Sequence, residues 1–217
     1  MEEKQVKTLE KLLNGLRTGE SVHVKNVGGH KILRIDWLNI VFSSEVFQAL
    51  AKLIAHDVGR RRFSFDAVAS VETSGAKYGL ALSYELRLPY FSIHKASKIT
   101  FEEPVSVLER SVTEDRKVSL HLDKAIASKF KRVLLVDDIR RSSRTLNAAV
   151  ELLNTCGAEV EACYVILDLA FAGNPPPAKI PADRYLPLFV ISAVEDDGRC
   201  EVSGGLVSEY LGMLSRV

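Results

Sequence analysis

The chain has 217 residues, 47% of them hydrophobic, with 29 basic against 28 acidic side chains and a net charge of +1. Such balance argues against a general nucleic-acid or membrane-surface binder, since both rely on a large basic excess, but it leaves room for a local patch that holds a small anion. Three cysteines in no zinc spacing read as reduced thiols of a cytoplasmic protein, the charged start Met1-Glu2-Glu3-Lys4 reads as no signal peptide, and no apolar run approaches the ~20 residues of a membrane helix.

Val6, Leu9, Leu12, Leu13 and Leu16 recur at helical spacing, and Gly19 stops the pattern. Val22-His23-Val24 and Ile32-Leu33-Arg34-Ile35 flank Gly28-Gly29 and predict a hairpin. Ser43 or Ser44 can cap the next helix, whose stripe is Val46, Phe47, Leu50, Leu53 and Ile54; Arg60, Arg61 and Arg62 stand at its negative end. Ala67–Val71 predicts a strand, Gly75–Leu86 a helix and Pro89–Ile93 a strand. Residues 100–123 are polar and weakly patterned apart from an alternating run near Val118 and Leu120, and Lys124–Lys129 reads as a short helix. The unbroken aliphatic run Val133–Val136 predicts a strand buried on both faces. Helix Thr145–Cys156 follows, ended by Gly157, then strand Val160–Leu167. Strands alternate with helices from about 65 to 168, which predicts an α/β fold on a parallel sheet. Pro175-Pro176-Pro177 breaks regular structure, and the tail reads as strands, turns and a last helix near Val207–Leu214.

Ligands of open parallel sheets sit at the carboxyl ends of the strands. Asp137 and Asp138 stand at such an end, and two adjacent carboxylates there are costly unless a cation, hydroxyls or N–H groups satisfy them. A ribose diol can do so. Ser142, Ser143, Arg144 and Thr145 then run into a helix N-terminus, whose free N–H groups and dipole favour an anion. Diol acceptors followed by a phosphate cradle are what a ribose 5-phosphate requires. The bland alternative is an Asp-rich turn before a capped helix, with Arg140, Arg141 and Arg144 merely solvated.

Val133 through Thr145 resembles the signature with which type I phosphoribosyltransferases bind 5-phosphoribosyl-1-pyrophosphate (PRPP). The resemblance implies that Asp137 and Asp138 hold the ribose hydroxyls and that Arg141, Ser142, Ser143, Arg144 and Thr145 surround the 5-phosphate. The family usually carries Thr-Gly-Gly-Thr at the end of this loop. Here Ser143 and Arg144 replace the glycines that let the backbone reach unusual angles, and Arg144 is expected to compensate by pairing with phosphate.

Val71-Glu72-Thr73-Ser74-Gly75 repeats the strand–loop–helix pattern and looks like the pyrophosphate loop of the family, with a cis peptide expected at Thr73–Ser74. His94-Lys95-Ala96-Ser97-Lys98 resembles the Arg-Lys-Pro-Gly-Lys run of adenine phosphoribosyltransferases, with Lys95 and Lys98 toward pyrophosphate. Residues 101–120 correspond to the mobile loop that covers PRPP, and Arg116 and Lys117 are its candidates to reach the leaving group. The implied fold is a parallel sheet with helices on both faces. Residues 1–40 supply a hood of helix and hairpin, 41–175 the core, and 176–217 a tail that packs on the core and completes the hood.

The resemblance covers roughly residues 30–175. Glu72-Thr73-Ser74-Gly75 looks like the xanthine type, while the Lys95–Lys98 run and Leu120–Ile126 look like the adenine type. Asp168, Leu169 and Phe171 follow a strand end on the base side. Leu169 occupies the place where a 6-oxopurine enzyme of the xanthine type has a lysine donor, and Phe171 is placed to stack. The resemblance thus implies a purine phosphoribosyltransferase of nucleotide salvage, adenine favoured, with Mg²⁺ held mainly through PRPP, working as a cytoplasmic homodimer without nucleic-acid or membrane partners. A 6-oxopurine enzyme and a non-catalytic PRPP-binding regulator remain as alternatives. Orotate transfer is weaker, because its lid motif is missing.

Overall fold

The computed structural model describes residues 1–41, 43–110 and 117–216. Helix α1 (Glu3–Thr18) buries Leu9, Leu12, Leu13 and Leu16, the stripe that the sequence spacing marks, and Gly19 ends it at a φ of 80°. Strands β1 (Val22–Val27) and β2 (His30–Ile35) form the hairpin, with Gly28 and Gly29 both at positive φ as a tight two-residue turn requires. A short π-type turn over Asp36–Ile40 leads to α2 (Ser44–Arg61), where the Ser43 side chain accepts the Glu45 N–H.

The core is one six-stranded sheet in the order β10-β9-β8-β7-β3-β4. Its strands are β3 (Ala67–Val71), β4 (Tyr90–Ile93), β7 (Arg132–Arg140), β8 (Glu159–Asp168), β9 (Tyr185–Val194) and β10 (Cys200–Gly204). All neighbours pair in parallel except β9 and β10. Helix α3 (Gly75–Leu86) links β3 to β4, and α5 (Arg144–Thr155) links β7 to β8. A core of α1, α2 and α3 side chains covers one face, and a second, built on Leu146, Leu152 and Leu153 of α5, covers the other. β7 has apolar layers on both sides, which is why Val133–Val136 carries no polar alternation.

Two regions depart from the sequence reading. Residues 104–110 and 117–123, expected within a weakly patterned loop, form an antiparallel ribbon of β5 (Pro104–Arg110) and β6 (Lys117–Asp123), with Leu120 and Leu122 buried in the core. Short helix α4 (Lys124–Ala127) follows, with its first turn capped by the Asp123 carboxylate. The tail does more than pack on the core: it supplies β9 and β10 of the sheet before helix α6 (Leu206–Leu214). The N-terminal hairpin meets this tail. Lys31 Nζ donates to the Val194 carbonyl at 2.8 Å and pairs with Asp196 at 2.9 Å.

Candidate active site

The carboxyl ends of β3, β4, β7 and β8 gather the residues singled out above. β3 ends at Val71, and Glu72, Thr73 and Ser74 bridge directly to α3. The cis peptide of this loop lies at Glu72–Thr73, one bond before the expected Thr73–Ser74. Gly75 begins α3 against the acid pair: a Cβ there would stand 2.8 Å from Asp137 Oδ1. One turn on, a Cβ at Gly79 would meet Tyr90 Cε2 at 2.5 Å and Ser70 Oγ at 2.8 Å. The two glycines therefore let α3 lie close on the sheet and bring its first turn to the end of β7.

Asp137 and Asp138 sit inside β7, which continues through Arg140 rather than ending at Val136. Asp137 is in register with Val165 of β8, and Arg140 with Asp168. Asp137 is buried, and its Oδ1 accepts the Asp138 N–H at 3.0 Å. Burial first, and the neighbouring Asp138 charge second, hold its carboxyl well above the ordinary range; the charge of Lys95 opposes this. Lys77 and Tyr78, on the first turn of α3, also feel Asp138. Burial lowers the Lys77 ammonium while Asp138 raises it, and burial, with Asp138 second, raises the Tyr78 phenol. The Tyr78 hydroxyl is buried with no hydrogen-bond partner among the described residues. Neither residue stood out in the sequence, because both fit the pattern of an ordinary helix packed on a sheet.

The loop after β7 needs no glycine. Ser143 has φ −83° and ψ 1°, a conformation open to any residue, so a side chain is tolerated there. That side chain is not free for an anion: Ser143 is buried and its Oγ donates to the Pro175 carbonyl. Ser142 and Thr145 are half-buried, Arg141 is exposed, and Arg144 Nε reaches Ser142 Oγ at 3.4 Å. Arg140, which the bland alternative would leave as a solvated charge, is buried. Its Nε and Nη2 hold Asp168 Oδ1 at 2.8 and 2.6 Å, and its Nη1 donates to the carbonyls of Asn174 and Pro175 at 3.0 and 3.1 Å. Tyr185 Oη donates to the other Asp168 oxygen at 2.7 Å. Asp168, expected to face a base, is thus occupied on both oxygens. The signal available in the sequence was the pair itself, an Arg and an Asp at the ends of two adjacent strands.

On the other side, Glu72 Oε2 lies 2.7 Å from His94 Nδ1 and 3.7 Å from Lys98 Nζ. Lys95 and Lys98 are exposed at the end of β4. His94 exchanges two backbone hydrogen bonds with His121 of β6, at 2.9 and 2.7 Å, which ties the ribbon to the same loop. Arg116 lies outside the described residues; Lys117 opens β6. A surface hollow lined by Lys4, Lys7 and Glu45 lies along α1, apart from these strand ends, and its Lys4 is paired with Glu45 at 2.7 Å.

Residues 36–199 match the family described as the phosphoribosyl transferase domain. The chain belongs to this family. Over 171 residues it is 34% identical to the adenine phosphoribosyltransferase of Campylobacter curvus, covering 76% of this chain and 87% of that one. Over 128 residues it is 32% identical to the adenine phosphoribosyltransferase of Bordetella avium, covering 59% of this chain and 68% of that one. Among solved structures, the Leishmania donovani adenine phosphoribosyltransferase superposes with a TM-score of 0.68 at 16% identity, covering 96% of this chain and 92% of that one. The Saccharomyces cerevisiae enzyme, solved with an imino-altritol bisphosphate and adenine, gives 0.66 at 20%, covering 84% and 97%. The fold is that of a type I phosphoribosyltransferase. Within this phosphoribosyltransferase, Leu169 is buried in the core that α1, α2 and α3 cover, and Phe171 packs half-buried against that core.

Proposed function

We propose that this phosphoribosyltransferase joins adenine to the ribose of PRPP, giving AMP and releasing pyrophosphate. The observation that carries the reading is the acid pair at the end of β7, running through a hydroxyl-bearing loop into the N-terminus of α5, with Gly75 packed against the first acid. The half-buried Asp138 carboxylate accepts from the ribose hydroxyls. Asp137 stands beside it as the second acid, its carboxyl held above the ordinary range by burial and by the Asp138 charge. The N-terminus of α5 and the side chains of Ser142, Arg144 and Thr145 hold the 5-phosphate. The Glu72–Gly75 loop, with Lys95 and Lys98, faces pyrophosphate, and Glu72 holds Lys98 in place. Lys117, which opens β6, and Arg116, which lies outside the described residues, stay the candidates for the leaving group.

Breaking the glycosidic C1–O bond leaves positive charge on the ribose ring and negative charge on pyrophosphate. The protein's part is to position the base and the two ends of PRPP and to match the developing charges. The β5–β6 ribbon covers the centre against water. Among the described residues no three His, Cys, Asp or Glu side chains gather to hold a metal ion. Acids in ones and twos suit Mg²⁺, which takes few carboxylates and keeps phosphate oxygens and water as its remaining ligands. Bound mainly through PRPP, it would neutralise pyrophosphate charge.

Adenine is favoured because Leu169, buried in the core, stands where the xanthine type has its lysine donor, and a 6-oxo group left unpaired in a dry pocket would cost ~1–3 kcal/mol. Equal adenine and hypoxanthine competing for limiting PRPP test the base. AMP is expected to form on the order of tenfold faster than IMP; the reverse order would sink the adenine assignment. Parallel assays with guanine, xanthine and orotate place the other bases. We also infer a cytoplasmic homodimer. The described cysteines are all free and buried, and Leu80 and Tyr84 stand exposed four residues apart on α3. Light scattering at the monomer mass would overturn the dimer.

A further inference from the structure

The stretch from Leu169 to Pro175, on the base side, is laced to the 5-phosphate loop. The Leu169 N–H donates to the Arg140 carbonyl at 2.9 Å. Arg140 Nη1 returns to the carbonyls of Asn174 and Pro175, and Ser143 Oγ donates to the same Pro175 carbonyl. Asn174 Nδ2 donates to the Arg141 carbonyl at 3.0 Å and to the Ala172 carbonyl at 3.3 Å. Each end of the strap is anchored. Asp168, gripped by Arg140 and Tyr185, fixes its start, and Asn147 of α5 accepts the Lys179 N–H at 3.1 Å beyond it.

From these contacts we propose that Arg140, Ser143 and Asn174 are positioning residues that make the base-side strap and the 5-phosphate loop a single body, so that ribose 5-phosphate and the purine each favour binding of the other. The proposal rests on the reading of the site given above. Its physical basis is shared ordering. The backbone of residues 141–145 must hold one conformation to present its N–H groups to phosphate, and residues 169–173 must hold one to bound the base. Two loops ordered by common hydrogen bonds bear that entropic cost together, so the first ligand to bind lightens it for the second. Coupling of this kind is reciprocal and typically about 5- to 150-fold. It also gives Ser143 a use: its side chain locks the loop that its backbone helps to form.

The test measures purine affinity by calorimetry with and without saturating ribose 5-phosphate, a pair that cannot react. Adenine is used first, and hypoxanthine if the competition assay selects it. The unaltered protein is expected to bind the purine about fivefold or more tighter when ribose 5-phosphate is present. Ser143→Ala combined with Asn174→Ala leaves the Pro175 carbonyl satisfied by Arg140 and keeps any direct contact between the two ligands. In this variant the ratio is expected to fall at least about threefold. Asn174→Ala alone, at an exposed side chain, gives the same reading if the double variant folds poorly, and a merely structural role would lower its thermal midpoint while leaving the ratio intact. A ratio unchanged in a variant that still binds ribose 5-phosphate overturns the coupling alone. Failure of the unaltered protein to bind ribose 5-phosphate overturns the site reading and the coupling together.

Discussion

Replacing Asp137 and Asp138 by Asn tests the centre of the site, and the two positions should behave differently. Asp138 is half-buried, with a side chain able to reach a ligand, whereas Asp137 is buried and already accepts the Asp138 N–H at 3.0 Å. Each charge-assisted hydrogen bond to a ribose hydroxyl that is lost costs ~1.5–3 kcal/mol, or roughly 10- to 150-fold in affinity. The double variant should therefore bind PRPP at least about a hundredfold more weakly. Stability should move the other way. The folded Asp137 carboxyl titrates well above its unfolded value near ~3.9. Between those two values the folded protein holds a proton that the unfolded chain has released, so stability falls as pH rises through that window. Asp137→Asn removes this dependence, because its amide has no proton to lose and its Oδ1 still accepts from residue 138. Urea midpoints measured from pH 4 to 8 should decline for the parent protein relative to Asp137→Asn, with calorimetry of PRPP run on the same samples. Unchanged PRPP affinity in the double variant refutes the assignment of the ribose, and parallel pH profiles refute the buried-acid argument.

Arg144→Gly should not tighten PRPP binding, because residue 143 already adopts an ordinary backbone conformation and residue 144 starts α5; tighter binding by calorimetry would mean that Arg144 crowds the phosphate. Gly75→Ala should depress kcat/KM strongly, as its methyl would press on Asp137 Oδ1, with the thermal midpoint lowered by the strain of ~1–3 kcal/mol usual for overpacking; full activity would show that α3 shifts freely. Asp168→Ala should cost ~3–5 kcal/mol in chemical denaturation by stranding buried Arg140, and a loss below ~1 kcal/mol would indicate that Arg140 finds other partners.

Much of this protein was legible because local chemistry speaks at short range. The stripe of α1, the glycine turn between β1 and β2, the span Gly75–Leu86 and the aliphatic run of β7 each follow from spacing that a single element imposes on its own residues. The acid pair was legible too, since two carboxylates beside a doubly buried strand require a partner of some kind. Long-range pairing was not legible. The alternating run near Val118 and Leu120 was the local sign of β6, but nothing local named its partner, because β5 pairs with it from another segment. Nor did the sequence place β9 in the sheet, since only register with β8 makes it a core strand.

The residues around the ligand divide in the same way. Sequence alone marked two acids followed by a hydroxyl-bearing loop that runs into a helix, and a second strand–loop–helix unit with lysines after it. Tertiary structure decided what each side chain is free to do. Arg140 reads as one more surface charge until β7 and β8 bring it beside Asp168, and Ser143 reads as a phosphate donor until Pro175 takes its hydroxyl. Gly75 shows its necessity only when α3 is packed against Asp137. A buried polar group must find a partner, and which partner it finds is set by chain crossings many residues away in sequence. Composition and spacing therefore fix the kinds of groups present, while packing decides which of them remain available to a ligand.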